Sequence, residues 1–190
     1  MFDKLLEHDE ALFLYLNQLG TETYDLLWIL ITNILTWIPL FLFFIFLIFK
    51  SYSKKEALII IAFIVGALLL NLLFTETVKE LVARLRPNND PVISSAARIL
   101  KNPTNYSFFS GHASSSFVIT VMVISFVKKK VNYYYLFFLW PILFCYSRIY
   151  VGVHYPLDIF VGAVMGFLLA VISYKSYNSL KPKFNLEKNL

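Results

Sequence analysis

Five long runs of the chain carry no Asp, Glu, Lys or Arg, and these uncharged runs constrain the fold more than any other feature of the sequence. They cover residues 26–49, 57–75, 110–127, 131–147 and 159–174. A helix needs about 20 apolar residues to cross the roughly 30 Å hydrocarbon core of a bilayer, and flanking aromatic and lysine side chains extend shorter runs. The sequence therefore predicts an all-α, polytopic membrane helix bundle with five transmembrane helices, at about residues 26–49, 57–77, 110–127, 131–148 and 156–174. The alternative, that the two shortest runs are buried helices of a soluble bundle, conflicts with a composition that is 58% hydrophobic.

Residues 1–20 predict an amphipathic helix that lies along the membrane interface. At helical spacing one face gathers apolar side chains, namely Phe2, Leu5, Leu6, Leu12, Phe13, Leu16 and Leu19. Asp9 falls in the middle of that face and interrupts it. Because no linker or internal repeat divides the rest of the chain, we expect residues 1–190 to form one membrane domain, with residues 79–109 as its longest loop.

Lysines are concentrated in three segments, near residues 50–56, 128–130 and 175–188. These segments alternate with the predicted spans, so they lie on one side of the membrane, which the positive-inside rule makes cytoplasmic. The N-terminus then lies outside, in agreement with six acidic residues against one lysine in residues 1–25. We therefore expect an integral protein of a bacterial inner (cytoplasmic) membrane with a cytoplasmic C-terminus.

Besides Lys4, six basic residues lie on the predicted outer side, against this rule: Lys79, Arg84, Arg86, Arg98, Lys101 and Arg148. They are either solvated charges near anionic headgroups or cations that together bind an anion. Four of them lie in short motifs whose other residues favour the second interpretation.

The first motif is KELVARLRP, residues 79–87. Lys79 and Arg86 are seven residues apart, so both point the same way if the helix continues to Pro87, which then ends it. A guanidinium can bind two oxygens of a phosphate, and an ammonium adds a mobile point charge. The pair suits a phosphate, although two cations at this spacing also occur on solvated helix faces.

The second motif is FSGHASSS, residues 109–116, at the start of the third predicted span. Ser110 is suited to cap the helix, and Gly111 lets backbone N–H groups approach a bound group closely. Such a helix end attracts anions through its free N–H groups and dipole. His112 falls in the first turn, beside any group bound there. A capped helix with an interfacial histidine is the alternative.

The third motif is SRIYVGVHYPLD, residues 147–158, a polar stretch between two apolar runs. His154 and Asp158 are four residues apart, so a helix from Tyr155 onward lets the carboxylate bind one ring nitrogen and leaves the other exposed. An oriented, neutral imidazole is a good nucleophile toward phosphorus, and the carboxylate stabilises the charge that develops on it. Arg148 adds a third cation. A buried pair that only anchors the last helix is the alternative.

The motifs read Lys-x6-Arg-Pro, Ser-Gly-His and Ser-Arg-x5-His-x3-Asp, and in this order they resemble the type 2 phosphatidic acid phosphatase (PAP2) superfamily, which shares its site with vanadium haloperoxidases. The resemblance covers residues 79–158 and implies a PAP2/haloperoxidase-like helical core. Phe109 stands where the family usually has proline, which affects the stiffness of the turn rather than a phosphate contact. The family usually has six spans, and the interfacial helix would take the place of the first one.

The resemblance implies a membrane lipid phosphatase that hydrolyses a phosphate ester or diphosphate through a phosphohistidine, without metal or cofactor. His154 would be the nucleophile, His112 the general acid and then base, and Asp158 the partner of His154. The phosphate would be bound beside the catalytic loop, residues 79–109, by Lys79, Arg86, Ser110, Gly111 and Arg148. Three cations neutralise a transferring phosphoryl group, and no carboxylates are found at metal-ligand spacing.

An outward-facing site at the interface would select a lipid whose phosphate lies at headgroup level. We expect undecaprenyl pyrophosphate above all, with phosphatidylglycerophosphate, phosphatidic acid or lipid A phosphate as alternatives, and neither nucleic acid nor an obligate protein partner. Arg98 and Lys101 are either available for a second phosphate or solvated charges of the loop. A soluble haloperoxidase conflicts with five spans. A non-catalytic lipid-binding or transport protein would need neither His112 nor the His154–Asp158 pair.

Overall fold

The computed structural model describes residues 2–184, except for the side chains of Phe2 and Phe184, and all regular structure in that range is helical. The α-helices are α1 (Phe2–Gln18), α2 (Glu22–Ile31), α3 (Ile38–Ser51), α4 (Lys54–Val82), α5 (Pro91–Ala96), α6 (Gly111–Val127), α7 (Leu139–Tyr150) and α8 (Pro156–Leu180). Short 3₁₀ helices cover Ile34–Trp37, Tyr134–Phe138 and Lys181–Phe184. The predicted all-α class is confirmed. Residues 185–190, which include Lys188 of the predicted cytoplasmic tail, lie outside the described range.

Three segments of the described chain are long and apolar enough to cross a membrane: Ile34–Ser51, Lys54–Val82 and Pro156–Lys183. The α6 helix is also apolar but has only 17 residues. The predicted fourth span corresponds to α7 and the 3₁₀ helix before it. These helices suit an integral membrane protein, while the number of crossings stays a prediction.

The α6 helix forms the centre of the bundle, because 11 of its 17 residues are buried. Its first two turns pack closely on α8, where Gly162, Gly166 and Ala170 form a stripe of small residues at four-residue spacing. A Cβ atom on Gly166 would lie 2.2 Å from the carbonyl oxygen of Ser114, and one on Gly162 would lie 2.6 Å from that of Ser110. The missing side chains therefore let the start of α6 approach the start of α8 at backbone distance.

Hydrogen bonds join the lysine-bearing segments at the end of the bundle away from the three motifs. The Tyr52 hydroxyl donates to the carbonyl of Phe126 at 2.7 Å, and the Lys130 ammonium donates to the carbonyl of Ser51. Glu56 accepts from Tyr177 at 2.8 Å and from Lys181 at 2.5 Å. The structure thus brings the three lysine-bearing segments together at one end, as the predicted topology requires.

Two helical predictions differ from the structure. The second predicted span does not continue as a helix to Pro87, because α4 ends at Val82 and Ala83 adopts a left-handed conformation with φ 51°. The carbonyl of Arg84 then accepts a hydrogen bond from the Ser107 amide at 2.9 Å. The first predicted span is not one helix either, since α2 ends at Ile31 and Asn33 caps the following 3₁₀ helix.

The α1 helix is present, but the face that it turns to the protein overlaps the predicted apolar face only in part. Its buried stripe consists of Asp9, Phe13 and Asn17, whereas Leu5 and Leu12 are about half exposed. Asn17 donates to three backbone carbonyls and accepts from the Arg98 amide at 2.7 Å. Polar contacts therefore fix α1 to the bundle, and its exposed leucines suit a lipid environment. The interfacial location stays a prediction.

Candidate active site

The three motifs meet around a cavity of about 390 Å³ at the end of the bundle away from the lysines. We call it the motif cavity, because its lining includes Lys79, Arg86, Gly111, His112 and Arg148. Its remaining wall is mainly apolar and includes Leu72, Ile119, Trp140 and Phe144. The other three predicted site residues do not line it, since Ser110, His154 and Asp158 are buried behind it.

The predicted contact between His154 and Asp158 is formed at the start of α8. Nδ1 of His154 lies 3.3 Å from Oδ2 of Asp158, which also accepts from the Tyr155 amide at 3.0 Å. The other ring nitrogen, Nε2, lies 2.9 Å from Nη1 of Arg86. Because a guanidinium can only donate, this network assigns the ring proton to Nδ1 and the lone pair to Nε2. Burial, reinforced by neighbouring cations, holds the pKa of His154 well below its usual range.

The sequence predicted that Nε2 of His154 would be exposed. In the structure it is covered, because Arg86 contacts Nε2 and lines the motif cavity. The guanidinium of Arg86 also donates to the carbonyl and side-chain oxygens of Asn105, at 2.7 and 3.0 Å, and to the carbonyl of Val153 at 3.0 Å. Its position follows from the early end of α4, which lets the chain turn toward the loop that carries Asn105. Burial lowers the pKa of Arg86.

Arg84, to which the sequence assigned no role, joins α1 to the His154–Asp158 pair. Its Nη1 lies 2.8 Å from Oδ1 of Asp158, and its Nη2 lies 2.8 Å from Oδ2 of Asp9. Asp9 also accepts from the Leu157 amide at 2.8 Å. Burial raises the pKa of Asp9, and Arg84 opposes this rise. The acid that interrupts the apolar face of α1 therefore belongs to the surroundings of the site.

Lys79 and the start of α6 form another side of the site. Nζ of Lys79 contacts Oε1 of Glu76 at 2.6 Å and lies 3.9 Å from where a Cβ of Gly111 would be. Ser110 caps α6 as predicted, because its hydroxyl accepts from the Ala113 amide at 3.3 Å. The Ser110 amide donates to the carbonyl of Asp158 at 3.0 Å. No sequence motif pointed to Glu76, which neutralises part of the charge of Lys79.

Arg148 and His112 separate the motif cavity from a second cavity of about 380 Å³, which we call the loop cavity. Nη1 of Arg148 donates to the Thr32 hydroxyl at 2.6 Å, and its Nε is buried without a hydrogen-bond partner among the described residues. The ring of His112 packs against Phe144 with a centroid distance of 5.3 Å. The lining of the loop cavity includes these two residues and Asn33, Lys101, Asn102 and Pro103.

Arg98 was predicted as a possible cation for a second phosphate, but it does not line the loop cavity. It forms an ion pair with Asp25 at 2.7 Å, and this hydrogen bond lowers the pKa of Asp25. Lys101 is therefore the predicted loop cation that lies beside the site. Within residues 2–184, no group of three or more His, Cys, Asp or Glu side chains is arranged to hold a metal ion.

Comparison with known proteins identifies the family. A model of the PAP2 superfamily matches residues 57–182, which include all three motifs. The chain belongs to the PAP2 superfamily. It is 31% identical over 182 residues to the lipid A 4′-phosphatase of Porphyromonas gingivalis, covering 91% of this chain and 74% of that protein. The lipid A 4′-phosphatase of Bacteroides thetaiotaomicron is 27% identical, with 87% and 75% covered. The undecaprenyl-diphosphatase of Sulfolobus acidocaldarius is 28% identical, with 86% and 68% covered.

Two crystal structures share the fold of this PAP2 protein. Aquifex aeolicus LpxE superposes with a TM-score of 0.69 at 28% identity, covering 87% of this chain and 93% of that chain. The PAP2-type phosphatidylglycerolphosphate phosphatase of Bacillus subtilis gives a TM-score of 0.72 at 19% identity, covering 98% and 90%. The protein is thus an integral membrane enzyme, a PAP2 lipid phosphatase, as its motifs predicted.

Proposed function

We propose that this PAP2 phosphatase hydrolyses its substrate through a phosphohistidine formed on His154. The position of His154 between Asp158 and Arg86 carries the proposal, because it leaves the nucleophilic lone pair on Nε2. Nε2 attacks phosphorus in line, the bond from phosphorus to the leaving oxygen breaks, and His112 protonates that oxygen. Asp158 stabilises the charge on the ring. Water, deprotonated by His112, then displaces phosphate from Nε2.

The phosphate-binding groups are the three cations of the motif cavity together with the start of α6. Lys79, Arg86 and Arg148 supply charge, while the Gly111 amide and the Ser110 hydroxyl are the helix-end donors. A phosphate oxygen competes with Nε2 for the Nη1 proton of Arg86. Binding the substrate thus frees the lone pair that attacks it.

Four candidate lipids fit this chemistry, and similarity to relatives favours two of them. Similarity to two lipid A 4′-phosphatases favours a phosphate of lipid A, and similarity to an undecaprenyl-diphosphatase favours undecaprenyl pyrophosphate. Phosphatidylglycerophosphate and phosphatidic acid are further alternatives. The apolar wall of the motif cavity suits a lipid in either case.

We place the protein in a bacterial inner membrane with the site on the periplasmic side, because the lysines gather at the opposite end. A cysteine introduced at exposed Asn89 should react with a membrane-impermeant thiol reagent in intact cells, and one at exposed Ser53 should not. The background variant is Cys145→Ser, which removes the one native cysteine. The reverse pattern would place the site in the cytoplasm.

The catalytic proposal is tested with His154→Ala in detergent-solubilised protein, using lipid A, undecaprenyl pyrophosphate, phosphatidylglycerophosphate and phosphatidic acid. Phosphate release should be abolished for every substrate that the wild type hydrolyses, and an acid-labile, base-stable phosphoryl label should disappear. His8→Ala is the matched control, because His8 is exposed on α1. Retained turnover in His154→Ala would exclude the covalent mechanism. A lipid-binding protein would release no phosphate in any variant.

A further inference from the structure

The loop cavity contains positive charge that no acidic residue neutralises. Among the described residues that line it, Lys101 and Arg148 are cationic and none is acidic. This differs from the motif cavity, where Glu76 contacts Lys79. Arg98 is likewise paired with Asp25, whereas no carboxylate contact is found for Lys101 within residues 2–184. Cations that share a cavity without a carboxylate are suited to an anionic ligand.

Two further observations support an anion in this place. Burial, and then repulsion by Arg148, lowers the pKa of Lys101, so an anion between the two cations would relieve both effects. Within residues 2–184, Nε of Arg148 is buried without a hydrogen-bond partner. The side-chain amides of Asn33 and Asn102 add neutral donors to the same lining. The loop cavity thus offers charged and neutral donors together.

The loop cavity adjoins the site on the side of His112, where the leaving group would depart in the proposed mechanism. It shares His112 and Arg148 with the motif cavity, and His112 is the proposed proton donor to the leaving oxygen. The part of the leaving group that is bonded to this oxygen would therefore extend into the loop cavity. The nucleophile, His154, lies on the other side of Arg86.

We propose that the loop cavity binds a second phosphate, the one that remains on the leaving group, and that Lys101 is its main cation. This inference rests on the proposed function and specifies its substrate as a diphosphate ester. Nε2 of His154 attacks the terminal phosphorus, and the bond from that phosphorus to the bridging oxygen breaks. The bond's electrons stay on the bridging oxygen, which takes the proton of His112, and a lipid monophosphate leaves.

The test compares farnesyl diphosphate with farnesyl monophosphate in the same micelles, because the two probes differ only in the second phosphate. For Lys101→Met, the ratio of kcat/KM for the diphosphate to kcat/KM for the monophosphate should fall at least tenfold. Lys101→Arg should restore most of the ratio. Lys129→Met is the matched control, since Lys129 is exposed at the opposite end of the bundle, and its ratio should equal that of the wild type.

A second measurement needs no variant. Inorganic diphosphate should inhibit the wild type at a concentration at least tenfold lower than inorganic phosphate. An unchanged ratio in Lys101→Met, equal inhibition by the two anions, or a wild type that hydrolyses only monophosphates would each overturn the second-phosphate site. If the wild-type protein releases phosphate from none of the lipid phosphates, the proposed function itself is overturned.

Discussion

Nη1 of Arg86 lies 2.9 Å from Nε2 of His154, so the nitrogen proposed to attack phosphorus is already a hydrogen-bond acceptor. Arg86 is held there by both oxygens of Asn105 and by the carbonyl of Val153. The same guanidinium borders the motif cavity. Arg86 can therefore exchange one acceptor, Nε2, for a phosphate oxygen while its other contacts keep it in place.

Arg86→Lys should lower kcat by about 10², the usual cost of removing one donor that stabilises the transition state. An ammonium keeps the charge but cannot contact Asn105, His154 and a phosphate at once. Steady-state hydrolysis of the preferred lipid phosphate measures the effect. Asn105→Ala is the matched comparison and should cost less, since the backbone carbonyl of Asn105 still holds Arg86. An Arg86→Lys enzyme within threefold of wild type would contradict this role.

The pH dependence of kcat/KM should reflect the low pKa of His154. Free histidine is half protonated near pH 6.5, and protonation would occupy Nε2 and block attack. Because burial lowers the pKa of His154, Nε2 stays unprotonated below that pH, and activity is lost only as the pH falls further. After correction for ionisation of the substrate, kcat/KM should not fall between about pH 7 and 6.5. An acid limb centred above pH 6.5 would show that the ring is not kept neutral.

Asp9→Asn tests whether α1 supports the site through Arg84. The amide can still accept from the Leu157 amide, so the variant mainly removes the charge that contacts Nη2 of Arg84. Loss of a hydrogen bond to a charged group costs about 1.5–3 kcal/mol. We expect a lower Tm in detergent and a kcat reduced about tenfold, because Arg84 also contacts Asp158. Glu7→Gln, an exposed acid on the same helix, should match wild type, and equal effects of the two substitutions would argue against this connection.

The candidate site residues could be identified from the sequence, because each motif is defined by the spacing of residues that are close together along the chain. Lys79, Arg86, Gly111, His112 and Arg148 were expected around one anion and do line one cavity. The contacts of Asp9 with Arg84 could not be predicted, since these residues are 75 positions apart in sequence. Helical periodicity treats Asp9 only as an interruption of an apolar face.

The end of α4 was missed for a related reason. Nothing in the local sequence KELVARLRP requires Ala83 to leave the helix, and a left-handed alanine is locally unfavourable. Contacts made by the next residues explain it, namely the pairing of Arg84 with the Ser107 amide and of Arg86 with Asn105. Tertiary hydrogen bonds here override helix propensity.

A signal that was present but unused is the spacing of Gly162, Gly166 and Ala170, which is typical of close contacts between membrane helices. Gly166→Ala should lower stability by about 1–3 kcal/mol, the usual cost of overpacking, because its Cβ would lie 2.2 Å from the Ser114 carbonyl. Gly66→Ala is the matched control, since nothing lies within 4 Å of its Cβ position. It should be neutral or slightly stabilising, because alanine favours helices. Thermal unfolding in detergent compares the two, and equal Tm values would contradict the close packing.

We predict from the charges of the motif cavity that activity does not depend on a metal ion. A transferring phosphoryl group carries about two negative charges, and Lys79, Arg86 and Arg148 border the cavity in which it would bind. Activity should therefore survive excess EDTA, and vanadate should inhibit it, because a five-coordinate oxyanion would contact the same cations and His154. Arg148→Lys should still lose most of the rate, since an ammonium cannot contact the Thr32 hydroxyl and a phosphate together as the guanidinium can. If EDTA stops turnover and Mg²⁺ restores it, while Arg148→Lys is nearly neutral, then the cations of the motif cavity do not neutralise the phosphoryl group, even though the enzyme is a phosphatase.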